Sequence, residues 1–76
     1  MFEKVRDILA EQLEVDPDTI TMETNIQEDL SADSLDVVEL IMTLESEFDI
    51  MISDDTAMTL VTVGEIVKFL EKLENN

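Results

Sequence analysis

One serine in this chain sits in a run suited either to chemistry or to starting a helix: Asp33-Ser34-Leu35-Asp36. A serine hydroxyl acts as a nucleophile only when an adjacent base takes its proton, usually a histidine. The chain has no histidine, and no motif places Lys4, Lys68 or Lys72, its only lysines, beside Ser34. Catalysis by this chain alone is rejected, and the reading is that it is not an enzyme. Cysteine is absent too, so the protein itself supplies neither a thiol nor a disulfide. A metal would have to be held by oxygen alone. Asp16 and Asp18 begin like a calcium loop, but Ile20 takes the third ligand position and Gln27 the last. Loose divalent binding to carboxylates is expected, with no specific metal site. Two roles remain for Ser34: an ordinary helix-start residue, or an acceptor that another protein modifies.

The electrostatic setting narrows the partners. Twenty acids face four cations, for a formal net charge of −16. The cations are Lys4, Arg6, Lys68 and Lys72, so the stretch from Asp7 to Val67 holds seventeen acids and no positive side chain. Such a surface repels nucleic acid and anionic membranes and attracts basic protein surfaces in a salt-sensitive way. Acidity that merely keeps the protein in solution is the plainer alternative. The N-terminal MFEKVRDILAEQL has acids throughout and no long apolar run, which argues against a signal peptide or membrane span and makes the cytoplasm the expected location.

At 76 residues, 45% of them apolar, the chain suits one small domain, residues 1–76, with a stability of about 4–11 kcal/mol. A single Gly and a single Pro favour helices over a turn-rich β fold. Val5, Ile8, Leu9 and Leu13 predict a helix over about 3–15, closed by Asp16-Pro17-Asp18. From Asp16 to Ala32 no period persists, and Ile20, Met22, Ile26 and Leu30 are spaced like pins holding a long loop to a core. Asp33 with Asp36 reads as a capping box opening a helix over 34–48. Ser53-Asp54-Asp55 starts a short third helix through about Leu60. Thr62 with Glu65 caps a last helix running to the end. The expected fold is all-α: a small four-helix bundle with three longer helices, a short third one and a long loop between the first two.

On a wheel of 100° per residue, Val37, Leu40, Ile41, Leu44 and Phe48 share the core face of the helix that begins at Ser34. Leu35, Val38 and Met42 form a second apolar stripe about a third of a turn away. Glu39 and Glu45 flank it, with Asp36 and Glu47 further round. A surface helix ordinarily has one apolar stripe. The second either touches the loop as further core or docks a basic, partly apolar surface of another protein.

Asp33-Ser34-Leu35 followed by Asp36-Val37-Val38-Glu39-Leu40 closely resembles the attachment motif of acyl carrier proteins, most of all the discrete bacterial carriers of dissociated fatty-acid synthesis. The likeness extends over Phe2 to Leu13, Glu28-Asp29-Leu30, Glu47-Phe48-Asp49-Ile50 and Thr62-Val63-Gly64. The resemblance implies that a phosphopantetheinyl transferase esterifies Ser34 with 4′-phosphopantetheine from coenzyme A. The arm's thiol then carries acyl intermediates as thioesters to fatty-acid synthesis enzymes with basic docking patches, the carrier acting as a monomer. The resemblance also maps partner binding onto Asp33, Leu35, Asp36, Val38, Glu39, Met42, Glu45 and Glu47. It maps an acyl pocket onto Val37, Leu40, Ile41, Leu44 and Ile66. The chain departs from the family at Ser31, commonly Gly, and at Ser46, where an acid is usual. It departs again at Met51 and in the weakly charged run after Asp55, where Met51, Met58 and Val61 can form an extra apolar patch. A carrier for a polyketide or another dedicated acyl pathway is the nearest alternative; an unmodified acidic divalent-binding regulatory protein is the alternative of another class.

Overall fold

A computed structural model describes residues 1–74, arranged in an all-helical order: α1 (Phe2–Leu13), a 3-10 turn (Pro17–Thr19), α2 (Ser34–Phe48), α3 (Asp54–Thr59) and α4 (Val63–Glu74). The expected continuation of the last helix over residues 75 and 76 lies outside the described residues. α1 packs against both α2 and α4. Val5 and Leu9 of α1, Leu40 and Leu44 of α2, and Val63, Ile66 and Leu70 of α4 are sealed in the core between them. Burying each such side chain contributes about 1.5–3 kcal/mol, which is what holds so short a chain together.

α1 ends earlier than its apolar spacing predicts, and by another device. Glu14 turns left-handed (φ 56°) and sends its N–H back to the carbonyl of Ala10. Pro17 does not stop that helix; it opens the following 3-10 turn, with Asp16 Oδ1 accepting the N–H of Asp18 at 2.9 Å. Proline suits that place because its fixed φ matches the first turn and no N–H is needed there.

The long loop is pinned by Ile20 and Ile26, both buried, and more loosely by Leu30. Met22 is a correction: its side chain is 39% exposed, and the residue anchors the loop through its carbonyl, which accepts the N–H of Gly64 at 2.8 Å. Gly64 is required for that approach, since a Cβ there would lie 2.8 Å from the same oxygen. Further bonds run from Val63 N–H to Thr24 O and from Ile26 N–H to Val61 O, both 3.0 Å. The loop is thereby laced to the α3–α4 connection. Thr24, the one buried polar residue among those described, accepts the Thr21 N–H with its hydroxyl at 2.8 Å.

Ser31 also adopts the left-handed region, at φ 57°. An L side chain there costs about 1–2 kcal/mol, partly offset by the extra freedom glycine gains when unfolded, about 0.5–1 kcal/mol. Ser31→Gly is therefore expected to stabilise the fold by roughly 0.5–1 kcal/mol. A urea midpoint that stays put or falls would show that the loop carries no strain at this position.

Candidate functional site

The capping box read from the sequence is present. Asp33 Oδ1 accepts the Asp36 N–H at 2.9 Å, and Asp36 Oδ2 accepts the Asp33 N–H at 3.2 Å. The box settles one of the open questions about Ser34. Asp33 caps the helix, so the exposed Ser34 hydroxyl, at the first helical residue, is not needed for capping. The amides of Ser34 and Leu35 belong to the first turn, where N–H groups have no acceptor within the helix.

Ser34 also stands on the edge of a cavity of about 510 Å³ between α2 and α3. Val37, Val38, Ile41 and Met42 form the apolar part of the α2 wall, Ala57 and Met58 that of the α3 wall, and Ile26, Ile52, Leu60 and Val61 add to it, while Gln27, Glu45 and Asp54 supply polar lining. Of the five residues the resemblance assigns to an acyl pocket, Val37 and Ile41 line this space. Leu40, Leu44 and Ile66 do not; they lie fully buried in the bundle core. Ile26, Ala57 and the cap-proximal Ile52 come from segments without helical period, so no pattern in the sequence assigns them to a common wall.

The second stripe stands clear of the core. Leu35 is 66% exposed, Val38 53% and Met42 63%, whereas Leu40, Ile41 and Leu44 of the first stripe are buried. The acids assigned with it are not equivalent. Asp33 and Asp36 are tied to each other in the cap. Glu45 is half-buried, and its Oε2 accepts the Ile52 N–H at 2.8 Å. Glu39 is exposed, with only a 3.4 Å contact from Gln12 Nε2 of α1. Glu47 lies elsewhere, in the shallow α1–α2 groove with Ile8, Glu11, Gln12 and Thr43. Among the described residues no salt bridge reaches these acids on α2. Arg6 pairs with Asp7 at 3.0 Å, and Lys4 lies over the Phe48 ring, 5.0 Å from its centroid. Among the described residues no three acids converge as a metal cluster.

The family model for the phosphopantetheine attachment site matches residues 3–70. The chain is 51% identical to the acyl carrier protein of Campylobacter curvus over 73 residues, 96% of this chain and 95% of that one. The chain belongs to the acyl carrier protein family. The family's Campylobacter concisus member is 52% identical over the same share of each chain. Among solved structures, the acyl carrier protein of Enterococcus faecalis superposes with a TM-score of 0.80 at 37% identity, covering 93% of this chain and 90% of the other. Members of the family are carriers rather than catalysts, and the matched region is their attachment domain for phosphopantetheine. The residues fit that group: an exposed hydroxyl on a 15-residue helix, unpaired first-turn amides suited to a phosphate, and an apolar cavity opening beside them. No helix among the described residues is long and apolar enough to cross a membrane.

Proposed function

We propose that residues 1–76 form one acyl carrier domain, that a phosphopantetheinyl transferase attaches 4′-phosphopantetheine from coenzyme A to Ser34, and that the carrier serves fatty-acid synthesis in the cytoplasm as a monomer without catalytic activity of its own. The single observation that carries this reading is the position of Ser34: an exposed, first-turn hydroxyl on the edge of an apolar cavity, inside the matched attachment region. The group supplies the thiol that the cysteine-free chain lacks, and acyl chains are held on it as thioesters. The chain's own residues orient and shelter. The first-turn amides of Ser34 and Leu35 would hold the phosphate of the group, and Val37 and Ile41 would offer an attached chain an apolar wall. Incubation with coenzyme A and a transferase should add one arm to the intact mass. An unchanged mass would refute the reading.

Docking falls to Leu35, Val38 and Met42 as apolar contacts and to Glu39 as the freest acid beside them. Basic partner enzymes are drawn to this face by charge and retained by apolar burial. Glu39→Lys should slow association with the transferase roughly tenfold at low salt, with the difference shrinking as salt is raised. Stopped-flow rates that match wild type at every ionic strength would remove Glu39 from the docking rim.

One observation favours a carrier for a dedicated acyl pathway as a second reading. Met51 and Met58 are 91% and 80% exposed and Val61 40%, leaving apolar surface around α3 for a specialised partner. Efficient loading and elongation by general fatty-acid synthesis enzymes would decide against it.

A further inference from the structure

The end of α2 and the approach to α3 meet on one residue. The carbonyl of Glu45 accepts the N–H of Asp49, which turns left-handed at φ 53°, and the N–H of Ile50 at 3.1 Å. The carboxylate of the same residue accepts the Ile52 N–H at 2.8 Å and borders the cavity beside Ser34. Ile52 is itself buried on the cavity wall, and the next residue, Ser53, is the N-cap of α3, its hydroxyl accepting the Thr56 N–H at 3.2 Å. α3 has six residues, too few to hold a helix by itself, so its place depends on how its two ends are fixed. Beyond its C-terminal end, Val61 O accepts the Ile26 N–H; at its N-terminal end the tie is Glu45.

We propose that Glu45 is a positioning residue: its carboxylate holds Ile52, and with it α3, at a set separation from α2, which fixes the width of the cavity and so the length of acyl chain it shelters. The assignment rests on the carrier reading of the cavity. It removes Glu45 from the docking acids, because a carboxylate committed to a backbone amide on the cavity side is not presented to a partner. The two roles need different things. Docking needs negative charge, whereas positioning needs an acceptor atom at that place. Glutamine keeps the acceptor and loses the charge.

Glu45→Gln and Glu45→Ala are therefore compared with wild type in two measurements. Hydrogen exchange at the Ile52 amide, read in the unmodified protein relative to core amides of α2, should be about tenfold faster in Glu45→Ala, the loss expected for one hydrogen bond to a charged group. In Glu45→Gln it should stay near wild type. Thioester hydrolysis across a series of acyl lengths should then show the best-protected length shifted in Glu45→Ala and retained in Glu45→Gln. Unchanged Ile52 exchange in Glu45→Ala would overturn the tie. Faster exchange with an unchanged length profile would overturn its control of the cavity. Glu45→Gln slowing transferase association while protecting Ile52 would make Glu45 a docking residue after all. Failure of Ser34 to accept the arm would refute the carrier reading and the chain-length role with it, while the exchange result would still report on the tie.

Discussion

Leu44→Ala is expected to lower the unfolding free energy by about 2–5 kcal/mol, while Met42→Ala leaves it within about 0.5 kcal/mol of wild type. The two residues are neighbours on one helix, and only their faces differ. Leu44 is fully buried in the hydrophobic core, so its truncation leaves a cavity that the packed core cannot close. Met42 is 63% exposed and, where it is covered, borders the open cavity rather than the packed core. For a domain expected to hold about 4–11 kcal/mol in total, the first change alone threatens folding. Met42→Ala should instead speed dissociation of a docked enzyme, by an amount equivalent to about 1–3 kcal/mol if the side chain anchors the contact. Urea denaturation of both variants, set beside the dissociation rate of Met42→Ala, checks the pair. If Met42→Ala melts the domain as Leu44→Ala does, the second stripe belongs to the core and no docking surface remains on it.

That contrast was legible in the sequence because α2 is governed by local rules. A capping box at its start, a 3.6-residue period along it and a fixed face for each side chain left little to long-range contacts. Its bounds, Ser34 to Phe48, agree with the reading, and so does the separation of its buried and exposed stripes. The end of α1 was less visible. Its stop depends on a left-handed Glu14, a conformation that leaves no mark when the residue is not glycine. Asp49 and Ser31 follow the same habit, although the absence of the family's usual glycine at Ser31 pointed to stiffness there.

Long-range features were harder to read. The lacing of Met22 and Thr24 to the start of α4 runs through backbone groups, which every residue type carries alike. The cavity follows the same pattern. On its α2 wall Val37 and Ile41 could be named from the resemblance, but its other walls come from Ile26, Ile52, Ala57 and Met58 in loops and a short helix. Leu40, Leu44 and Ile66 share apolar character with the wall residues and differ only in depth. Depth is a property of the assembled bundle, and so is the contact in which Glu45, placed beside the second stripe, accepts the Ile52 N–H with its carboxylate.

The central claim is that Ser34, and no other serine, receives the arm. The chain offers three further serines, Ser31, Ser46 and Ser53. Ser53 is engaged in capping α3, and Ser31 and Ser46, though exposed, lie off the cavity edge. Ser34→Ala removes a single exposed oxygen and leaves the Asp33–Asp36 cap in place, so the variant should fold with wild-type stability to within about 0.5 kcal/mol. Peptide-level mass spectrometry after treatment with coenzyme A and a phosphopantetheinyl transferase gives the most direct measurement. The wild-type protein should carry one arm, on the peptide containing Ser34, and folded Ser34→Ala should carry none. An arm found on Ser31, Ser46 or Ser53, or persisting in Ser34→Ala, would contradict the account.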